Sequence, residues 1–400
     1  MISKRKAVIG ALIIIILTTI INFTVSNMVT SSLGFGYAIP RGSYKQCEKL
    51  ITLKNYLLKN YYKELDEDKL VEGAIKGMFN SIGDPYTLYM DEKEYSDLVT
   101  RTQGIYGGIG VIVTPGDDGY VTVVSPIEDT PGEKAGLIPG DRIIHVDGEA
   151  IFGDKLDYAV DLMKGEPGTD VRLSISRVGR DEIFDVTIIR EEVRLKTVRS
   201  EVIEKDIGYI RISMFDEQTA KDFKEHLGQL KKKNVKGIIL DLRNNPGGLL
   251  DECVEIADEI LGEQIIVYTE DRNGNRKVEK SDKRQLKLPI TVLVNKGSAS
   301  ASEILAGAIK DGKKGKIIGV TTFGKGLVQQ VKPLEDGTGF KFTISEYFTP
   351  NGTNIHGIGV EPDIVVELPE ELEDGLEIES HEDTQLKKAI EVLRKEIRKN

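Results

Sequence analysis

The sequence has few of the side chains on which disulfide scaffolds and most zinc sites depend. Its 400 residues include 2 cysteines and 4 histidines, and no two histidines have the H-E-x-x-H spacing. These residues are Cys47, Cys253, His145, His226, His356 and His381. A disulfide scaffold, a cysteine-rich zinc site and a helical metalloprotease motif are therefore excluded. A nucleophile that needs an imidazole base also has few partners to choose from.

Positive charge is scarce as well. Lys and Arg number 54 against 65 Asp and Glu, a formal net charge of -11. So acidic a chain argues against a general nucleic-acid-binding protein, which needs basic patches to displace counterions from phosphates. Charged residues at 30% and hydrophobic residues at 40% are typical of a soluble globular body. The length suggests two or three domains.

The N-terminus carries the longest apolar run in the chain. Lys4, Arg5 and Lys6 precede an apolar stretch over residues 7–21 that continues weakly to Met28. Three positive charges before such a run stay on the cytoplasmic side, so the rest of the chain would face outward. A cleaved signal peptide and an uncleaved anchor both begin this way. We favour an anchor over residues 1–28, because the run approaches the length needed to span hydrocarbon, followed by a linker over residues 29–45.

Composition and periodicity divide the remaining chain into four regions. Apolar residues recur at helical spacing over residues 46–100, and short β-rich runs separated by glycine turns over residues 101–190 predict a small β-rich domain. Residues 191–368 contain strand–turn–helix units, which indicate a layered α/β core. The tail over residues 369–400 is charged and includes a basic amphipathic helix.

One strand-to-helix turn of the α/β core holds three serines, Ser298, Ser300 and Ser302. The sequence S-A-S-E that starts at Ser300 fits a capping box with Glu303, so Ser300 could serve only as a helix cap. The same geometry favours a nucleophile, since a hydroxyl at a helix N-terminus lies beside free N–H groups that can stabilise an oxyanion. The residues alone leave both interpretations open.

A glycine-flanked lysine, Lys325, offers a base for such a serine. It ends the sequence G-x-x-x-x-G-K that starts at Gly319, which matches a phosphate-binding P-loop except that Gly326 replaces the Ser or Thr that holds magnesium. The residues after it predict a strand, whereas a P-loop leads into a helix. Burial among glycines and apolar residues would lower the pKa of the amine and make it a usable base; an exposed surface lysine is the alternative.

Two glycine-rich segments could bind through their backbone. The pair Gly247 and Gly248 follows an apolar strand and predicts either a simple tight turn or a pair of oxyanion donors. The sequence Y-G-G-I-G over residues 106–110 precedes a strand and lacks the spacing of a dinucleotide fingerprint. A glycine loop that leads into a strand can capture the terminal carboxylate of a peptide while the peptide pairs with the sheet.

Taken together, these segments resemble the carboxyl-terminal processing peptidases, which are serine proteases with an embedded PDZ domain. The matching segments occur in the family's order over almost the whole chain after the apolar run. They are residues 83–87 (G-D-P-Y-T), 106–110, 125–141, 241–248 (D-L-R-N-N-P-G-G), 297–304 (G-S-A-S-A-S-E-I) and 323–329 (F-G-K-G-L-V-Q).

The resemblance implies a Ser–Lys dyad in a crotonase-like α/β core. The family's spacing between the two residues assigns the nucleophile to Ser300, which lies 25 residues before Lys325. It further implies that Gln329 orients the lysine. The other residues that it implicates are Ala301 with Gly247 or Gly248 as oxyanion donors, and Gly108, Ile109 and Gly110 as the peptide-binding loop of the PDZ domain. No metal and no cofactor is implied.

The sequence thus predicts a membrane-anchored endopeptidase that cleaves extracytoplasmic proteins near their C-terminus, in a bacterial cell envelope. Its partners would be protein substrates with free C-termini and the membrane, with no nucleic acid. The helical region and the tail are expected to be dimerisation elements of a homodimer. A catalytically inactive PDZ scaffold and a P-loop nucleotide-binding enzyme are the alternatives.

Overall fold

The computed structural model describes residues 43–116, 118–369 and 382–399. The chain divides into two compact units, residues 1–83 and 84–400. The segment predicted to be a membrane anchor, residues 1–28, lies outside the described residues, as does most of the linker that follows it. Of the helices that are described, none is long and apolar enough to cross a membrane.

The described part of the first unit consists of two helices, α1 (Ser43–Asn60) and α2 (Glu67–Asn80). Asp66 caps α2, because its carboxylate accepts the N–H groups of Asp68 and Lys69 that the helix itself leaves without partners. Large apolar side chains remain exposed on this unit, among them Leu50, Ile51, Leu53, Tyr56, Leu57 and Met78.

A short strand and a helix open the second unit. The strand β1 (Leu88–Met90) pairs antiparallel with β18 (Gly339–Phe348), far along the chain. The helix α3 (Glu92–Gln103) begins at a capping box between Asp91 and Glu94. The strand therefore interrupts a region whose periodicity predicted helices alone, because the pairing partner of β1 is too distant in sequence to leave a local signal.

The β-rich domain is built on an antiparallel sheet with its own apolar core. The strands of this sheet, in spatial order, are β3 (Val111–Pro115), β4 (Val121–Pro126), β5 (Arg142–Val146), β7 (Asp170–Ser176) and β8 (Phe184–Ile189), and β6 (Glu149–Ala150) pairs with β5. Two helices, α4 (Pro131–Lys134) and α5 (Leu156–Met163), accompany it. The chain enters and leaves through a separate two-stranded ladder, β2 (Ile105–Gly108) with β9 (Glu191–Arg194).

A six-stranded sheet forms the centre of the α/β core. Its strands, in spatial order, are β10 (Val198–Ile203), β11 (Ile207–Ile212), β12 (Gly237–Asp241), β15 (Ile290–Val294), β16 (Gly315–Gly319) and β19 (Ile364–Val365). All neighbours are parallel except β10 and β11. Every residue of β12 and β15 is buried, as their continuous apolar runs predict for strands covered on both faces.

Helices cover both faces of this sheet. On one face, α6 (Thr219–Lys232), α7 (Leu250–Ile260) and α8 (Ala301–Asp311) contribute to the largest apolar cluster. The other face packs against α9 (Thr384–Ile397), whose Leu386, Ala389, Val392 and Leu393 are buried with residues of the sheet. The helix predicted for the tail is thus present, but its apolar face is covered by the core of the same chain instead of being exposed.

A second sheet, whose described strand pairs are all antiparallel, belongs to the same unit. It joins β1, β18, β13 (Ile265–Asp271) and β14 (Arg276–Lys280) in this order, and β17 (Leu327–Pro333) also pairs with β18. Because β12, β15 and β16 are adjacent and parallel, their carboxyl ends lie at one edge of the central sheet. The glycine turn, the serine turn and the lysine loop follow these three strands, so the topology brings the three segments together.

Candidate active site

The three serines of the turn after β15 differ in what their hydroxyls do. Ser298 Oγ donates to the carbonyl of Leu242 at 2.8 Å, and Ser302 Oγ donates to the carbonyl of Asn245 at 2.9 Å. Both side chains are fully buried. These two serines tie the turn to the segment after β12, whereas Ser300 is partly exposed and is the serine that a substrate can reach.

Ser300 adopts a backbone conformation that is rare for a residue with a side chain. Its φ is 54° and its ψ is −117°, and such strain in a residue other than glycine is found mostly at functional sites. The N–H of Ser300 donates to the Glu303 carboxylate at 2.8 Å, and the N–H of Glu303 donates to the Ser300 carbonyl, also at 2.8 Å. Residues 300 and 303 are therefore bonded reciprocally at the start of α8, through the Glu303 side chain and the Ser300 backbone carbonyl.

The Lys325 side chain lies in a partly buried site after β16. Its Nζ is 4.6 Å from the centroid of the Tyr86 ring. Burial lowers the pKa of Lys325 and the nearby Lys341 lowers it further, while Asp84 and Glu303 act in the opposite direction. A lysine with a lowered pKa is deprotonated more readily at neutral pH, which is what a general base requires.

No hydrogen bond joins the Ser300 hydroxyl and the Lys325 amine within the described part of the chain. Their backbones are nevertheless held together by two groups. The Tyr347 hydroxyl lies 3.1 Å from the carbonyl oxygen of Ser300 and also contacts that of Lys325, so the two carbonyls share its one proton. The fully buried Glu303 carboxylate accepts from the N–H groups of both loops.

For Glu303 the sequence pattern predicted helix capping and no further role. Besides Ser300 N–H, its carboxylate accepts the hydroxyl of Thr322 at 2.5 Å and the N–H groups of Gly324 and Lys325 at 2.7 and 2.9 Å. Four donors from two loops thus meet one carboxylate. The S-x-x-E pattern marks Glu303, but only the fold shows that it also holds the lysine loop.

The glycine turn after β12 packs directly against the serine turn. A Cβ on Gly247 would lie 2.8 Å from Ser300 Cβ and 3.0 Å from the backbone nitrogen of Ala301. The N–H of Gly247 is taken by the Asn245 side chain at 2.9 Å. No acceptor among the described residues takes the N–H of Gly248 or of Ala301. Of the two glycines that are candidate oxyanion donors, Gly248 is therefore the one whose N–H has no acceptor among the described residues.

Gln329 lies on β17 beside a β-bulge. In the ladder between β17 and β18 it faces Thr343, and the register shifts between Val328 and Gln329. Its Nε2 donates to Thr343 Oγ1 at 3.4 Å. Thr343 Oγ1 in turn donates to Asp84 at 2.6 Å, so the segment before β1 reaches the same site. The sequence marked this segment only as part of the resemblance.

The lysine loop does not have the surroundings of a phosphate site. The residues after Gly326 form the strand β17, so no helix N-terminus follows the loop as a P-loop requires.

Cys253 is fully buried, and burial raises the pKa of its thiol, which makes it a small apolar residue of the core. Within the described residues, no group of three or more His, Cys, Asp or Glu could hold a metal ion.

The predicted peptide-binding loop of the β-rich domain is present as a tight bend before β3. Gly110 has a φ of 71°, and a Cβ there would lie 2.3 Å from Thr130 Cβ, so only glycine fits. The Ile109 side chain is buried in the domain core, while Gly108 pairs with Glu191. In the described sheet β3 pairs with β4 alone, which leaves an edge next to the loop.

Comparison with known proteins agrees with this geometry. Residues 206–366 match the model of peptidase family S41, residues 122–177 match a PDZ domain, and residues 26–94 match the N-terminal domain of the activating protease CtpB. The fold also resembles a Bacteroides fragilis protein assigned to the S41 proteases, with a TM-score of 0.54 and 16% identity over 80% of this chain and 90% of that one.

Curated relatives are similar over most of the chain. A carboxy-terminal-processing protease of Bartonella bacilliformis is 42% identical over 82% of this chain and 77% of its own length. The carboxy-terminal processing protease CtpA of Bacillus subtilis is 40% identical over 81% of this chain and 69% of its own. The family matches and these relatives define a PDZ-containing serine protease. The chain belongs to the carboxy-terminal processing proteases of peptidase family S41.

Proposed function

We propose that the protein is a membrane-anchored endopeptidase that cleaves extracytoplasmic proteins near their C-terminus by a Ser–Lys dyad. The observation that carries the proposal is the junction of three loops. There the strained Ser300, the partly buried Lys325 and the free N–H groups of Gly248 and Ala301 lie at one edge of the central sheet. A nucleophile, a base and oxyanion donors are the parts that acyl transfer needs.

In the proposed reaction, Ser300 Oγ attacks the scissile carbonyl carbon while neutral Lys325 Nζ takes the hydroxyl proton. The N–H groups of Gly248 and Ala301 stabilise the resulting oxyanion. Collapse of the intermediate breaks the C–N bond, and Lys325 returns the proton to the leaving amine. Lys325 then takes a proton from water as the water oxygen attacks the acyl ester, and it gives that proton to Ser300 Oγ when the ester C–O bond breaks. This restores the Ser300 hydroxyl and the neutral Lys325, and the new carboxyl group loses its proton to solvent. Gln329 orients the lysine.

The PDZ domain is proposed to bind the free C-terminus of the substrate. The bend at Gly108, Ile109 and Gly110 would present backbone N–H groups to the terminal carboxylate, and the substrate would add a strand to the open edge of β3. Because Ile109 is buried, its contribution to the peptide would come from its backbone alone. Amidating the substrate's C-terminus removes the charge that this loop would recognise.

The decisive experiment compares the full chain, in detergent, with its Ser300→Ala and Lys325→Ala variants. The substrate is a loosely folded protein with an apolar C-terminus, without added metal or nucleotide. We expect cleavage by the parent, loss of cleavage in both variants, no effect of a chelator and weaker cleavage of an amidated substrate. Cleavage that survives in both variants would overturn the dyad and leave the serine turn as a helix cap.

The membrane anchor is proposed from the sequence, where Lys4, Arg5 and Lys6 precede the apolar residues 7–21. A full chain produced in a bacterium should sediment with the membrane fraction and resist extraction by alkaline carbonate. A variant that lacks residues 1–28 should be found in the aqueous fraction. Recovery of the protein in the aqueous fraction, shortened by the length of the apolar segment, would instead favour a cleaved signal peptide.

A further inference from the structure

Within the described residues, the Gln329 side chain hydrogen-bonds Thr343 and no charged group. An amide has a donating and an accepting end of almost the same shape, and to orient the lysine as proposed only the oxygen can accept a hydrogen bond from the Lys325 amine. The orientation of the Gln329 side chain must therefore be set by groups on its other side. Two residues outside the proposed dyad, Thr343 and Asp84, are placed to do this.

The first observation is a chain of hydrogen bonds with only one consistent direction. Asp84 Oδ2 lies 2.6 Å from Thr343 Oγ1, and Gln329 Nε2 lies 3.4 Å from the same Thr343 oxygen. An ionised carboxylate only accepts, so the single hydroxyl proton of Thr343 is used on Asp84. Toward Gln329 the hydroxyl can then only accept, and the atom that faces it must be the amide nitrogen.

Asp84 is held in its ionised form. Burial raises the pKa of Asp84, but the hydrogen bonds from the Thr343 and Thr87 hydroxyls and from the Tyr86 N–H outweigh it, with help from the charge of His356, and the pKa lies below its usual range. Thr87 also fixes the partner strand, because its Oγ1 accepts the N–H of Thr343 at 3.0 Å.

The second observation is independent of these side chains. The β17–β18 register shifts immediately before Gln329, so that Gln329 faces Thr343 directly while Val328 faces Ser345. A bulge of this kind redirects the side chain that follows it and is common next to active sites. The pairing of β1 with β18 brings the segment containing Asp84 alongside Thr343.

We propose that Asp84 and Thr343 are positioning residues which fix the Gln329 amide with its nitrogen toward Thr343 and its oxygen free for Lys325. The inference rests on the proposed function, since it assigns two further residues to the same dyad. Asp84 and Thr343 would touch neither substrate nor the reacting atoms. Thr343 would act only through Gln329, whereas the charge of Asp84 also raises the pKa of Lys325.

The test measures kcat and KM of the full chain for a peptide substrate with a free C-terminus. Thr343→Val keeps the shape but loses the hydroxyl, and we expect kcat to fall about 10- to 100-fold with little change in KM, the size of effect that misplaced catalytic groups produce. Thr343→Ser should regain most of that loss. Thr291→Val is the matched control, because the buried Thr291 hydroxyl has no hydrogen-bond partner within the described residues.

Because Thr343 is expected to act only through Gln329, Thr343→Val is repeated in a Gln329→Ala background. There Thr343→Val should lower kcat by less than about twofold. An equal loss in both backgrounds, or a Thr343→Ser variant as slow as Thr343→Val, would overturn the proposal. Ser300→Ala and Lys325→Ala are run alongside, so that survival of cleavage there identifies a failure of the dyad itself.

A readout without turnover keeps the proposal testable if the enzyme rests in an inactive state. The side-chain amide signals of Gln329 in a 15N NMR spectrum are identified by their loss in Gln329→Ala. Thr343→Val and Asp84→Asn should move these signals, whereas Thr291→Val should not. Signals that stay in place in both Thr343→Val and Asp84→Asn would show that neither residue holds the amide.

Discussion

Ser300 and Lys325 donate their backbone N–H groups to the same oxygen, Glu303 Oε2, at 2.8 and 2.9 Å. The other oxygen of Glu303 accepts from Thr322 and Gly324. A buried carboxylate that accepts four donors behaves as a rigid junction, since each donor would be left unpaired if it moved away. The serine turn and the lysine loop are therefore positioned as one body.

The Glu303→Gln variant tests this junction with almost no change in volume. An amide can accept through its oxygen only, so donors now at the other carboxylate oxygen would face an NH2 group. We expect a loss of about 1–3 kcal/mol of unfolding free energy for each buried donor left unpaired, together with a lower kcat. Urea unfolding and peptide cleavage measure the two effects.

Glu201→Gln is the matched control for this prediction, because Glu201 is exposed on β10. It should leave the urea midpoint and kcat as they are. A Glu303→Gln variant with the parent's midpoint and kcat would contradict a joining role for the carboxylate.

The pH dependence of cleavage should report the surroundings of Lys325. Activity rises with pH as Lys325 loses its proton, and since burial lowers its pKa, the midpoint of this rise should lie below the 10.5 of an ordinary lysine. Lys341 lowers this pKa while Asp84 and Glu303 raise it. The acidic limb of kcat/KM should therefore move to higher pH in Lys341→Gln and to lower pH in Asp84→Asn.

Lys280→Gln removes an exposed positive charge on β14 and should leave the pH profile unchanged. The measurement is kcat/KM against pH under conditions in which every variant remains folded by circular dichroism. A shift in the same direction for Lys341→Gln and Asp84→Asn would be inconsistent with a lysine base between these two charges.

Gly247→Ala should inactivate the enzyme through geometry. Gly247 has a φ of 100°, and the added methyl group would lie 2.8 Å from both the Ala299 carbonyl oxygen and Ser300 Cβ, closer than van der Waals contact allows. The serine turn would have to move, and displacement of a nucleophile by about 1 Å can cost on the order of 100-fold in rate. Cleavage assays combined with a melting curve measure it.

Gly228→Ala provides the comparison for this substitution. Gly228 lies in α6 with no atom within 4 Å of the added Cβ, so alanine there should stabilise the helix by up to about 1 kcal/mol and leave cleavage intact. Full activity in Gly247→Ala would show that the glycine turn does not need its close packing against Ser300.

Two buried ion pairs that share Arg243 link the C-terminal helix α9 to the core. Arg243 contacts Asp241 at 2.6 Å and Asp383, the N-cap of α9, at 2.8 Å, and all three side chains are buried. Arg243 keeps Asp241 in Asp383→Ala, but the variant loses one charged hydrogen bond to Arg243 and the N-cap of α9, so it should cost about 1–3 kcal/mol of unfolding free energy. Urea unfolding monitored by circular dichroism measures this.

Glu391→Gln breaks exposed ion pairs on the same helix, with Lys388 and Lys395, and should hardly change the unfolding midpoint. Because Arg243 begins the segment that leads to Gly247, Asp383→Ala should also lower kcat at temperatures where it remains folded. Equal midpoints for Asp383→Ala and Glu391→Gln would rule out this anchoring.

Much of the fold could be predicted from local patterns. The continuous apolar runs of β12 and β15 indicated buried parallel strands, and the short runs between glycine turns indicated a small β-rich domain. Adjacent parallel strands require the turns that follow them to lie together, but the pattern does not show which strands are adjacent. The sequence also indicated the apolar stripe of α9, but it did not indicate which surface of the protein covers that stripe.

The sequence by itself determined which residues could act, because turn glycines, a serine at a helix start and a glycine-flanked lysine are local features with local causes. The tertiary structure alone decided which of them meet. In the fold, the hydroxyls of Ser298 and Ser302 donate to backbone carbonyls, and Ser300 remains as the candidate nucleophile. The fold also brings together Asp84 and Thr343, which are 259 residues apart. Contacts between distant segments depend on how sheets and helices pack, and packing of that range leaves no periodic signal in either segment.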